Sequence, residues 1–235
     1  MLRLRTFGGL TLSRGEENLT GAASQRRRLA ILVLLAATRA AGMSRDKLVA
    51  YLWPESDAER ARHVLNQLLY SQRREVDDEA LFIGRKTLRL NPAVIGTDVG
   101  DFEEALERGA LEDAVGIYTG PFLDGFFLKD APEFEQWVDG RRDHYQRLCL
   151  HALGTLAETA ATSGDSRQAI TWWRRAAELD PLDSTIALAL VRALAAAGDR
   201  PGALRQARQH AEAIHEQLGV PPDPRLVEVM TQLGG

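Results

Sequence analysis

The 235-residue chain has a single cysteine, Cys149. Intrachain disulfides, cysteine-rich zinc sites and Cys-x-x-Cys redox pairs are therefore excluded, and Cys149 is expected as a small hydrophobe on a helix. Lysine is nearly missing, with Lys47, Lys86 and Lys129 the only three among 29 basic residues. That bias suits phosphate and guanine recognition, but a GC-rich genome also produces it. Long apolar runs are lacking too. The longest, Leu29 to Ala37, has nine residues, against about 20 for a membrane span, and no small-residue cleavage site follows Arg26-Arg27-Arg28. A cytoplasmic protein without membrane contact is expected.

Catalytic patterns are equally scarce. No Lys follows a Gly, which removes the phosphate-binding Gly-Lys-Ser/Thr loop, and neither Gly-x-Gly-x-x-Gly nor His-Glu-x-x-His occurs. His210 and His215 stand about 140° apart on a predicted helix, too far round to share a metal. His144 and His151 share a face, but Arg141, Arg142 and Arg147 beside them disfavour a cation. Trp173 is expected in a core, whereas Trp172 stays open between surface and ligand stacking. The residues therefore suggest no enzyme, cofactor or metal site.

What the sequence does have is ordinary globular composition, 45% hydrophobic and 26% charged, enough for one large domain or two modest ones. The net charge of −4 is unevenly spread. Residues 1–98 carry 16 Lys and Arg against 11 Asp and Glu, and residues 99–235 carry 13 against 22. A front unit that meets polyanions and a rear unit that does not is the simplest reading.

In the front unit, Leu2 and Leu4 alternate with Arg3 and Arg5, and Phe7-Gly8-Gly9 turns the chain into Leu10-Thr11-Leu12, a predicted hairpin. A helix from Gln25 to Thr38, capped by Ser24 and stopped at Gly42, is apolar on most sides, as a central helix is. Ser44 caps a second helix through Leu48, Val49 and Leu52, stopped by Pro54. The third predicted helix, Ala58 to Val76, separates into two faces. Ala61, Val64, Leu65, Leu68, Leu69 and Val76 fall within an arc of roughly 140° at 100° per residue. Opposite them lie His63, Asn66, Gln67, Tyr70 and Arg74, flanked by Arg60 and Arg73. Amide forks, an imidazole, a phenol and guanidinium groups are the set that reads base edges in a major groove, though such a face also serves as plain polar surface. Leu81-Phe82-Ile83 and Thr87 to Leu90 then flank Gly84-Arg85-Lys86, a predicted hairpin with a basic tip. Strands, three helices and a basic hairpin in this order describe a winged helix-turn-helix, whose last helix enters the groove.

Leu48 to Pro54, Ala61-Arg62-His63 and Ser71 to Arg74 resemble the N-terminal domain of the antibiotic regulatory protein (SARP) type of bacterial activator, over residues 2–98. One departure is Gln72, in the middle of the apolar stripe where the family usually carries Leu. Either it finds a hydrogen-bond partner or the helix frays or turns there, because an unpaired buried amide costs about 1–3 kcal/mol.

Beyond Asp101 strand signals vanish. Gly164-Asp165 and Gly198-Asp199 are 34 residues apart, as are Ala169 and Ala203, the period of the tetratricopeptide repeat. Leu153, Leu156, Ala157, Ala160, Ala169, Trp173, Ala176 and Pro181 fit a first unit; Ala187, Leu190, Leu194 and Ala203 fit a second that ends atypically, as a capping unit does. A shorter helical pair, Asp101 to Arg108 and Leu111 to Tyr118, precedes them. A helix from Pro132 through Arg147 leads in, and one from Asp223 to Leu233 closes the array. Tyr118 to Phe126 and Glu133-Phe134-Glu135-Gln136-Trp137 resemble the bacterial transcriptional activator domain, the second part of the same regulators.

The expected fold is mainly α: a winged helix-turn-helix DNA-binding domain over residues 1–98, then an all-α, tetratricopeptide-like repeat domain over 99–235. The expected partner is double-stranded promoter DNA, read by His63, Asn66, Gln67, Tyr70 and Arg74. Asn66 and Gln67 suit adenine and Arg74 suits guanine. Arg60, Arg73, Arg85 and Lys86, with Arg26, Arg27 and Arg45, are expected at phosphates. A single module buries little surface, so a homodimer on repeated half-sites is expected, and the resemblance implies contact with RNA polymerase. The rival reading is a protein-binding adaptor whose winged domain does not bind DNA.

Overall fold

Alternation of Leu2 and Leu4 with arginines gives β1 (Leu2–Arg5), which pairs antiparallel with β2 (Thr11–Arg14) through Leu4 opposite Leu12. Leu2, Leu4 and Leu12 are all buried, so one face of this hairpin is core. The computed structural model describes residues 1–19 and 25–234; Ser24, the expected cap, lies outside them. A short β3 (Glu17–Asn18) extends the sheet on one side, and β7 (Ile95–Thr97) joins it in parallel on the other, Leu2 opposite Ile95. At three residues β7 is too short to show an alternation in sequence.

The central helix, α1 (Arg26–Ala36), is buried continuously from Arg28 to Ala36, as an apolar surround demands. It is shorter than the predicted Gln25–Thr38, because a 3-10 turn at Arg39–Ala41 takes over before Gly42. Next comes α2 (Arg45–Leu52), with Ser44 Oγ accepting from the Lys47 N–H at 3.2 Å. Asp57 caps α3 (Ala58–Glu75), taking the N–H groups of Glu59 and Arg60 at 3.0 and 3.1 Å. Such caps satisfy donors that the first helical turn leaves orphaned. A second sheet, ordered β4 (Met43–Ser44), β6 (Thr87–Leu90), β5 (Phe82–Ile83), carries the hairpin expected after α3.

The next two helices, α4 (Asp98–Glu107) and α5 (Leu111–Ile117), belong with these elements in one compact unit, Met1–Tyr145. The join is polar at its centre. Asp98 is buried, and its carboxylate accepts from the Thr6 N–H at 2.6 Å, the Thr6 hydroxyl at 2.7 Å and the Phe7 N–H at 2.8 Å. Around it the Phe7 ring touches Phe102, Tyr118, Phe122 and Tyr145 at centroid separations of 5.3, 4.9, 6.4 and 5.4 Å. Burial holds the Tyr145 hydroxyl well above the usual phenol range, and the charge of Glu103 adds to it.

The second compact unit spans Gln146–Gly235. Where the sequence predicts a lead-in helix ending near Arg147 and a separate repeat helix, the chain forms one continuous helix, α6 (Pro132–Thr162), with no break signal between the two. It is followed by α7 (Ser166–Leu179), α8 (Ser184–Ala196), α9 (Arg200–Leu218) and α10 (Pro224–Gly234). The 34-residue spacing places Asp165 and Asp199 as equivalent caps, accepting from Gln168 N–H at 3.0 Å and Gly202 N–H at 2.8 Å. Leu188, Leu190, Val191 and Leu194 of α8 pack against Ala203 and Ala207 of α9, with Leu226 of α10 closing the cluster and Trp173 half-buried at its margin. His210 is buried; its ring bridges the Pro181 carbonyl at 3.1 Å and the Ser184 hydroxyl at 3.0 Å. The fold is thus mainly α, a winged helix-turn-helix followed by helical repeats. Among the described residues no helix is long and apolar enough to cross a membrane.

Two consequences are measurable. Asp98→Ala strips four buried donors of their acceptor, the Thr6 N–H and hydroxyl, the Phe7 N–H and the Val99 N–H, each worth about 1–3 kcal/mol when left unpaired, so urea denaturation is expected to show a loss of about 3 kcal/mol or more. Burial pushes the Cys149 thiol up to about 11, against a smaller opposing pull from Arg175. A thiol whose ionisation is harder in the folded state destabilises folding as pH rises through that range. Native protein at pH 8 is therefore expected to leave a disulfide reagent unreacted until denaturant is added.

Candidate nucleic-acid interface

The two faces of α3 are realised along the whole helix. Ala61, Leu65, Leu69, Gln72 and the following Val76 are buried, and His63, Asn66, Gln67, Tyr70 and Arg74 are all exposed, Tyr70 at 57%. Arg74 lies over the Tyr70 ring at 5.9 Å, and Gln67 Nε2 is 2.9 Å from His63 Nε2.

Gln72 resolves its two open alternatives in favour of a partner: α3 stays helical and Gln72 Nε2 donates to the Arg28 carbonyl at 2.9 Å. Its Oε1 is buried with no hydrogen-bond partner. Beside it, Arg28 pairs with Glu75 and donates to the Ser71 hydroxyl at 3.2 Å. A polar seam therefore fixes α3 to α1 on the side away from its exposed face.

The expected phosphate-binding residues are not equivalent. Arg60, Arg85 and Lys86 are exposed and make no ion pair among the described residues. Arg73 is half-buried over Phe82 at 5.6 Å. Arg27 is half-buried over Trp53 at 5.8 Å, and Arg26 donates to the Phe127 carbonyl at 2.7 Å while lying over Phe126. These two sit at the start of α1, engaged with aromatic neighbours. Arg45 is half-buried: its N–H and Nε donate to the Lys86 and Arg85 carbonyls at 3.2 and 2.7 Å, and Nη1 donates to Asn66 Oδ1 at 2.5 Å. Burial lowers its pKa, and the charge of Arg73 lowers it further. The wing hairpin itself depends on Gly84. Its φ of +96° and the 2.1 Å that would separate a Cβ from the Thr87 carbonyl exclude any side chain there.

Residues 95–233 match the family described as the bacterial transcriptional activator domain. That is more than half of the sequence. The chain belongs to this family. A solved structure of Mycobacterium tuberculosis EmbR in complex with a low-affinity phosphopeptide is similar at a TM-score of 0.68 and 19% identity, over 99% of this chain and 64% of that one. At that identity the likeness concerns the fold, and this chain spans only 64% of EmbR. No curated protein matches.

In this member of the bacterial transcriptional activator domain family, sequence periodicity singles out the α3 face but not the contacts behind it. Arg45 stands 21 residues before Asn66, and Arg28 stands 44 before Gln72; nothing local links them. The only available signal is the polar intruder, Gln72, in an apolar stripe. Gln72→Leu removes an orphaned buried oxygen at the cost of one hydrogen bond worth about 0.5–1.5 kcal/mol. Thermal or urea unfolding is expected to show a gain of about 1 kcal/mol; a loss instead means that the Arg28 contact outweighs the orphan.

Proposed function

We propose that the chain is a sequence-specific DNA-binding transcriptional activator of the SARP type. Residues 1–98 engage promoter DNA, and residues 99–235 form a helical platform for dimerisation, regulation or polymerase contact. The observation that carries this reading is the α3 face: five exposed side chains able to meet base edges, with Arg60 and Arg73 at its flanks and Arg85 and Lys86 on the adjacent wing in no ion pair among the described residues. A face left with uncompensated guanidinium and ammonium groups is suited to phosphates, whose neutralisation releases counterions and supplies most of the binding. Base-edge contacts then add discrimination. His63, Asn66, Gln67, Tyr70 and Arg74 take the base-reading role, and Arg60, Arg73, Arg85 and Lys86 the phosphate role. Arg26, Arg27 and Arg45 keep a secondary role at phosphates, because aromatic or carbonyl partners already hold them. Membership of an activator-domain family and an EmbR-like fold support the reading.

Anisotropy titration of the full chain with random duplex is expected to show binding that weakens steeply as salt rises. Lys86→Ala is expected to weaken binding to all sequences and reduce the salt slope by about one unit, whereas Asn66→Ala relaxes preference at one base position. Identical behaviour of the two variants contradicts the division of roles. Absence of salt-dependent binding favours the adaptor alternative.

A further inference from the structure

On each amide of the α3 face one atom is already engaged by a neighbour. Asn66 Oδ1 accepts from Arg45 Nη1, and Arg45 is itself fixed by the carbonyls of Arg85 and Lys86 in the wing. Gln67 Nε2 is engaged by the His63 ring. Adenine recognition by an Asn or Gln side chain uses both arms, the oxygen accepting from N6 and the nitrogen donating to N7. A charge-assisted hydrogen bond is roughly twice as strong as a neutral one, so the guanidinium fixes the oxygen's direction and leaves an adenine amino group only its second lone pair.

Resting on the reading that α3 enters the major groove, we propose that Arg45 is a positioning residue that orients Asn66 and biases it towards donation. Asn66 then selects a base presenting acceptors, guanine through O6 and N7 or thymine through O4. Gln67 keeps its oxygen and one N–H outward, because its nitrogen carries two hydrogens and the His63 ring takes one. The recognition pattern is written by what each amide has already spent on a neighbour, and Arg45 links that pattern to the wing: a shift of the Arg85 and Lys86 carbonyls moves the guanidinium that orients Asn66. The half-burial of Arg45 supports this assignment, because a side chain held by the Arg85 carbonyl, on a backbone held by the Lys86 carbonyl, cannot swing out as a surface arginine does.

The test is selection of bound duplexes from a randomised pool by the full wild-type chain, Asn66→Ala and Arg45→Ala, with far-UV circular dichroism as the check on folding. Asn66→Ala locates the position that Asn66 reads. Wild type is expected to enrich guanine or thymine there, and Arg45→Ala to move that preference towards adenine by roughly tenfold, the discrimination of one good base contact, with other positions unchanged. A merely structural role for Arg45 lowers binding to every duplex and leaves the base preference where it was, which overturns the proposal. Adenine, cytosine or no preference at that position in wild type overturns it as well. If Arg45→Ala fails to fold, the wild-type preference decides alone. If wild type binds no duplex even at low salt, the DNA-binding reading itself falls and takes the proposal with it; a failure confined to the base at one position leaves that reading standing.

Discussion

The first compact unit is built on one buried carboxylate. Asp98 begins α4, and its oxygens receive three donors from Thr6 and Phe7, residues at the end of β1 more than 90 positions away in sequence. A charge in such a place is tolerable only when fully hydrogen-bonded, and this one is. The geometry it imposes brings β7 alongside β1, turns Phe7 into the aromatic cluster, and sets residues 98–118 against the winged elements as one body. Few aromatics are available in this sequence, only 6% of residues, and several of the largest gather here: Phe102, Phe122, Phe134 and Tyr145 are fully buried. Their burial supplies the non-directional attraction, and Asp98 supplies the register.

With the N-terminal sheet secured in this way, α3 is free to expose a whole face. Its inner side is held by apolar contacts and by the Arg28, Ser71, Glu75 and Gln72 seam. No side chain of the outer face takes part in that seam. The base-facing candidates can therefore vary without disturbing the fold. Arg45 is the exception, since it serves both the wing turn and the outer face.

How much of this was legible in the sequence depends on the distance over which each interaction acts. The helices and the hairpin are local phenomena: periodicity, Asp and Ser caps, and Gly-Asp punctuation at a 34-residue interval mark them, and they form close to where the sequence puts them. The exposed set from His63 to Arg74 follows from the same periodicity. What was not legible is non-local. Asp98 looks like any helix-starting acid, and Phe7 reads as part of a turn. Arg45 has the signature of a surface cation rather than of a clamp on Asn66. The continuous α6 was misread for a related reason. Its two halves match different local patterns, and nothing between them says that the helix must not stop, because continuity there is only the absence of a breaker.

Charge gives the last link between fold and function. The acidic excess of the sequence is greatest just after residue 98, and the fold folds part of it back onto the basic front. Asp101 pairs with Arg3, and Glu103 and Glu107 with Arg39. Individually such half-exposed pairs stabilise little. Their effect is subtractive: they compensate Arg3 and Arg39, which lie off the α3 face, while Arg60, Arg74, Arg85 and Lys86 have no ion pair among the described residues. A chain with net charge −4 thereby keeps uncompensated cations on α3 and the wing, and long-range steering towards a polyanion depends on such local charge rather than on the total. The carboxylates of residues 99–107 thus bear on charge as well as on the join: they compensate Arg3 and Arg39 and leave the cations of α3 and the wing as they are.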